Sequence, residues 1–196
     1  MAHTFSMLGI MNAALTAQGI DKLTSVNDGS PEALALTENW PLIVEAELED
    51  GNYNFTRVEE HLLTRVEGQF GFPDGYQLPL STLHVRHVWT LGAGGNRLSP
   101  DWSSDQGHVY LDAADGCYAE VLVSSDPAVW GANFARGVQH KLEAVILRLD
   151  DENPQQAEAQ AEAYFQRART KSSKQRQRES GPYRESSFAR ARFGRG

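Results

Sequence analysis

The stretch from residue 126 to residue 171 restricts the fold more than any other part of the chain. It writes two amphipathic helices in succession. Asp126 is placed to cap the first and Pro127 to start it. Trp130, Phe134, Val138, Leu142, Val145, Ile146 and Leu149 then recur at helical spacing. A short turn at residues 150–153 ends that helix, and Asn153-Pro154 repeats the signal of a cap followed by proline. Residues 154–171 are rich in Gln, Ala and Glu, which are strong helix formers. They place Ala157, Ala161, Tyr164, Phe165 and Ala168 on one side. Two amphipathic helices joined by so short a turn predict an antiparallel helical hairpin.

Two further helices are expected at the start. Phe5 to Gly19 carries Leu8, Met11, Ala14, Leu15 and Gln18 at helical spacing, with Gly19 as the stop. Ser30-Pro31 reads as a cap with proline at the first helical position. Residues 31–50 follow, with Ala33, Leu36, Trp40, Val44 and Leu48 on one stripe. Pro41 lies inside it, and a proline costs about 3 kcal/mol within a helix, so a kink or break is expected there.

Residues 51–125 are mixed. Phe55–Val66 fits a strand or an extension of helix. Gly71-Phe72-Pro73-Asp74-Gly75 is a turn. Leu83, Val85 and Val88-Trp89 suggest a strand, Gly92–Gly95 a flexible tip, and Val109–Leu111 and Cys117–Val123 two strands joined through residues 113–116. The fold class that follows is mainly α. It is a helical bundle with a small antiparallel β insertion at about residues 54–125. Residues 1–171 form the body and residues 172–196 an extended C-terminal tail.

That tail is set apart by charge. Residues 169–196 hold nine basic side chains against two acidic ones, a charge of +7, while the rest holds nine against 24, a charge of −15. After residue 171 the apolar periodicity stops. Ser, Gln, Arg and Gly dominate, with isolated Tyr183, Phe188 and Phe193. Such a segment does not bury enough apolar area to fold alone. Its arginines suit phosphates, and with the interleaved aromatics it faintly resembles a single-strand nucleic-acid binder. A solubilising tail and an arm that docks on an acidic protein surface are the other readings.

The candidates for chemistry are thin. The histidines are His3, His61, His84, His87, His108 and His140. On a strand, the spacing of His84 and His87 sends them to opposite faces. No metal-binding spacing accompanies them, so ordinary surface or interface histidines are expected. Cys117 could pair with His108 or His140 as nucleophile and base, but a small buried thiol in a strand is the simpler reading. A single cysteine forms no intramolecular disulfide. Gly92-Ala93-Gly94-Gly95 lacks the lysine of a phosphate-binding loop. Acidic groups such as Glu59-Glu60, Glu47/Glu49-Asp50 and Asp150-Asp151-Glu152 read as solvated rather than catalytic. No apolar run approaches the roughly 18 residues of a membrane span, and the N-terminus lacks the pattern of a signal peptide. The expectation is a protein without catalytic residues, cofactor or metal, made in the cytoplasm.

Two segments resemble the head-to-tail adaptor proteins of short-tailed bacteriophages, also called tail tubular protein A or gatekeeper. The first runs through Asn12-Ala13-Ala14-Leu15, Gly19–Ser25, Trp40-Pro41 and Tyr53-Asn54-Phe55. It is similar to the family's Asn-x-x-Leu-x-x-x-Gly helix, turn, second helix and aromatic-Asn-Phe element. The second is Asp126-Pro127-Ala128-Val129-Trp130 with Phe134, which resembles the family's Pro-x-x-Trp-x-x-x-Phe helix. Residues 75–79 resemble its Tyr-x-Leu-Pro step, and residues 155–168 with Gln175 its Gln- and Ala-rich helix. Tyr53 stands where the family usually has tryptophan, and Ser172-Ser173 where an aspartate is common. Residues 90–116 match loosely, and residues 179–196 carry no alignable motif.

The resemblance implies a structural virion protein at the head–tail junction, assembled in the host cytoplasm. It implies a homo-oligomeric ring of twelve copies bound to the portal protein above and the tail nozzle or tail tube below. Genomic DNA passes through the lumen without specific recognition, and an acidic wall repels phosphate. Loops near residues 68–76 or 92–107 would face the tail components. Arg176, Arg178, Tyr183, Arg184, Phe188, Arg190, Arg192 and Phe193 would dock the tail on the portal or a neighbour. Trp130, Phe134, Val138, Leu142, Tyr164 and Phe165 would pack subunits together. The alternative is a nucleic-acid-binding protein that uses the basic tail.

Overall fold

Ser6 opens the first helix by accepting the Gly9 N–H on its hydroxyl, 3.1 Å away. The computed structural model describes residues 4–175 of the chain. Helix α1 spans Met7–Ala17 and buries Ile10, Met11, Ala14 and Leu15. The chain then turns back along it, held by Asn12. The Asn12 amide donates to the Leu23 carbonyl (3.1 Å) and accepts the Leu23 N–H (2.7 Å).

Helix α2, Pro31–Gly51, begins on a Ser30 cap whose hydroxyl also donates to Asp28. It runs through Pro41 without a break. Pro41 is exposed, while Ala33, Leu36, Val44 and Leu48 are buried. Burial of those four outweighs the roughly 3 kcal/mol that proline costs. The helix ends at Asn52, which takes the left-handed conformation at φ 51°.

The Asp126 cap belongs to a separate 3-10 turn over Pro127–Val129, and Trp130 precedes the helix it was expected to lie in. Helix α3 is Ala132–Leu149 and helix α4 is Gln155–Gln175, which carries helix past residue 171. The two form the expected hairpin, with Asn153 accepting the Gln155 N–H at its turn. α1, α2 and α4 share one core with α3, centred on Phe134, Leu142 and Phe165.

The expectation of a mainly α bundle is overturned by the region between α2 and α3. It holds eight strands in two antiparallel sheets, so the chain is a mixed α/β fold. A 3-10 turn over Asn54–Thr56 leads into β1 (Arg57–Leu62), β2 (Arg65–Glu67), β3 (Asp74–Gln77) and β4 (Thr82–Leu91). β5 (Arg97–Leu98), β6 (Trp102–Asp105), β7 (His108–Leu111) and β8 (Cys117–Val123) follow. One sheet has the order β1-β8-β4-β5 and the other β2-β3-β7-β6. β7 and β8, adjacent in sequence, therefore lie in different sheets. A second core joins Val85, Val88, Cys117, Ala119 and Val121 of the first sheet to Tyr76, Val109 and Leu111 of the second.

The turn between β7 and β8 is fastened from below. Buried Asp74 pairs with Arg65 and accepts the Ala113 N–H, and the Tyr76 hydroxyl bridges Ala113 O and Gly116 N–H. β4 carries register shifts between Thr82 and His84 and between Val85 and His87. The second shift inserts Arg86 and changes the alternation, so His84 and His87 are both exposed rather than on opposite faces.

Candidate interaction surfaces

Five of the six residues expected to pack subunits together lie in the chain's own interior. Phe134, Val138, Leu142 and Phe165 are fully buried and Trp130 is 5% exposed. A side chain with no free surface has none to offer a neighbour. Trp130 stacks on Trp40 of α2, with ring centroids 5.7 Å apart, and meets Phe134 edge-on at 4.7 Å. Its indole N–H donates to the Ser125 carbonyl and hydroxyl. Tyr164 alone of the six is partly exposed, between His140, on which it stacks, and the Arg167 guanidinium. The eight tail residues, Arg176, Arg178, Tyr183, Arg184, Phe188, Arg190, Arg192 and Phe193, lie outside the described residues.

The end of α4 is built into the body by polar contacts, and Glu47, expected to be solvated, is drawn into them with its side chain 11% exposed. Arg169 donates to both oxygens of Glu47 on α2, at 2.7 and 2.8 Å, and reaches Glu162 on its own helix at 3.0 Å. The Tyr53 hydroxyl donates to the same Glu47 at 2.5 Å. Burial, with the Glu47 carboxylate as acceptor, pushes the Tyr53 hydroxyl far above its ordinary value, so it stays a donor. Burial also pushes the Glu47 carboxyl up, against the pull of Tyr53 and Arg169. One turn further on, the Asn54 amide donates to the Ser172 carbonyl at 2.9 Å.

Beside this junction lies an open cavity of about 360 Å³. Tyr53, Asn54, Phe55, Trp130, Phe134 and Lys171 are among its walls. Its aromatic floor comes from the Tyr53-Asn54-Phe55 and Trp130–Phe134 elements, brought together from both sides of the β unit. At the far end of the β1-β8-β4-β5 sheet, Leu63, Leu91 and Leu98 are about half exposed or more, around the Gly92–Asn96 tip. On the outer face of that sheet His61, Tyr118 and Trp89 stack in a row, and Arg97 covers Trp89 at 4.3 Å.

The chemical candidates are taken up separately by the fold. Cys117 is buried in the β core opposite Leu62, and burial pushes its thiol up to about 12. His140 sits on α3, bound to Glu143 at 2.7 Å, and His108 lies beside Tyr110 on β7. Among the described residues no three His, Cys, Asp or Glu side chains are grouped to hold a metal ion. Glu59 pairs with Arg97, and Asp150 and Asp151 are exposed at the α3–α4 turn. Among the described residues no helix is long and apolar enough to cross a membrane. No protein-family model matches the chain, and no curated protein matches it in sequence.

Proposed function

We propose that this chain is a structural virion protein that forms a ring joining the portal to the tail and lets the genome pass. One observation carries the reading. The residues that resemble the phage adaptors, far apart in sequence, meet in one place. Trp40 and Tyr53-Asn54-Phe55 of the first segment pack on Trp130 and Phe134 of the second. Asn12 of the first segment pins Leu23 in the turn that follows. The charge division supports the same role, because an acidic body does not grip DNA while a basic tail suits an acidic protein surface. The exposed leucines at the end of the β unit are available to tail components.

The test is native mass spectrometry of the purified chain with the portal protein of the same particle. Binding of the full chain as a closed set of copies is expected. Failure of both the full chain and a form ending at residue 175 to bind portal overturns the reading. Tight nucleic-acid binding, strongly weakened by salt and lost with residues 176–196, favours the alternative.

A further inference from the structure

Helix α2 carries six acidic residues and no lysine or arginine. Leu34, Glu38, Leu42, Glu45 and Glu49 recur every three or four residues and form one exposed stripe. The two leucines are 55% and 71% exposed, which is unusual company for three carboxylates. Helix α4 carries the opposite pattern. Arg167, Lys171 and Lys174 share one exposed stripe, with exposed Ala163 and Thr170 between and beside them. Among the described residues none of these six charged groups has an oppositely charged side chain within ion-pair distance.

The two stripes cannot meet within one copy. Glu47 and Arg169 face each other across the α2–α4 seam. Two residues along a helix is a rotation of about 200°. Glu45 and Glu49 each stand two residues from Glu47, and Arg167 and Lys171 each stand two from Arg169. The acidic stripe therefore lies on the side of α2 turned away from α4, and the basic stripe on the side of α4 turned away from α2. Each copy presents an acidic face on one flank and a basic face on the other.

We infer that copies of this chain associate head to tail, the α4 stripe of one on the α2 stripe of the next. The ion pairs fix register and partner, and Leu34 and Leu42 close the space over Ala163 and Thr170. Such a contact is heterologous, and it makes a ring when its rotation closes. The inference rests on the ring reading above and assigns its subunit contact.

The test uses two full-length variants, Glu38→Lys/Glu45→Lys/Glu49→Lys and Arg167→Glu/Lys171→Glu/Lys174→Glu, alone and mixed. Assembly is followed by native mass spectrometry with and without portal, and folding by circular dichroism. The wild type should form oligomers, weakened about ten-fold or more when salt rises from about 0.05 M to about 0.5 M. Each variant alone should fail, and the equimolar mixture should assemble, because every contact in an alternating ring is again complementary. Where a reversed form loses the wild-type spectrum, the corresponding glutamine variants replace it and should assemble more weakly than wild type. Oligomers of each variant alone, or no restoration on mixing, overturn the contact and leave the ring reading standing. A wild type that stays monomeric both alone and with portal overturns both.

Discussion

The indole of Trp40, midway along α2, lies 14° from parallel to that of Trp130, just before α3 begins. This stack ties together the two ends of the helical part, between which the whole β unit is inserted. Phe134 stands edge-on to Trp130 and Tyr53, so α2, α3 and the segments on either side of the β unit meet at one aromatic cluster.

Removing Trp130 should be costly. Its ring is nearly buried and its N–H is satisfied, so Trp130→Ala should lower stability by about 3–5 kcal/mol in chemical denaturation. Trp40→Ala, at a less buried ring, should cost about half as much. The double variant should show a coupling of about 1 kcal/mol. Fully additive losses would mean that the stack contributes nothing beyond area.

Gly137 of α3 sits directly against the Phe165 ring of α4. A Cβ there would stand 2.5 Å from the Phe165 ring. Alanine is the better helix former by about 1 kcal/mol, yet Gly137→Ala should destabilise by about 1–3 kcal/mol because the core is overfilled. Adding Phe165→Leu should recover part of the loss. A Gly137→Ala protein more stable than wild type would contradict this packing.

Arg169 and Glu47 join α4 to α2 while partly open to solvent, at 26% and 11% side-chain exposure. Arg169→Met should cost about 1–2 kcal/mol, since it strands the Glu47 carboxylate with Tyr53 as its remaining donor. The double variant Glu47→Gln/Arg169→Met should be less destabilised than Arg169→Met alone. Thermal unfolding of the three proteins checks the order.

Cys117 should be silent in the native state. Burial raises its thiol from an ordinary value of 9.0 to about 12, so at pH 8 a thiol reagent should label it only as fast as the protein opens. The unfolded chain ionises near 9 and the native thiol near 12, so the contribution is intact below pH 9 and is lost as pH rises toward 12. Stoichiometric labelling of native protein within minutes would contradict the burial.

The helices were legible because their apolar residues recur with one period, and α2 and α4 open on Ser-Pro and Asn-Pro. Asp126 does not tell a 3-10 turn from an α-helix, because both open with the same side-chain bond. Most of the β unit was hidden for a different reason. β2, β3, β5 and β6 span two to four residues each, too short for alternation to show, and β4 loses its alternation at two register shifts. Phe134 and Phe165 looked like contact residues because a stripe long enough to bury a helix against its neighbours in the chain has the same spacing as one that buries it against another copy. The Glu47–Arg169–Tyr53 junction had no sequence signal, since its members are six or more residues apart and joined only by the fold.

The most direct measurement is an image of the assembled particle at side-chain resolution. A closed ring of this chain should lie between portal and tail, with Arg167, Lys171 and Lys174 of each copy on Glu38, Glu45 and Glu49 of the next. A head–tail junction built without this chain would contradict it.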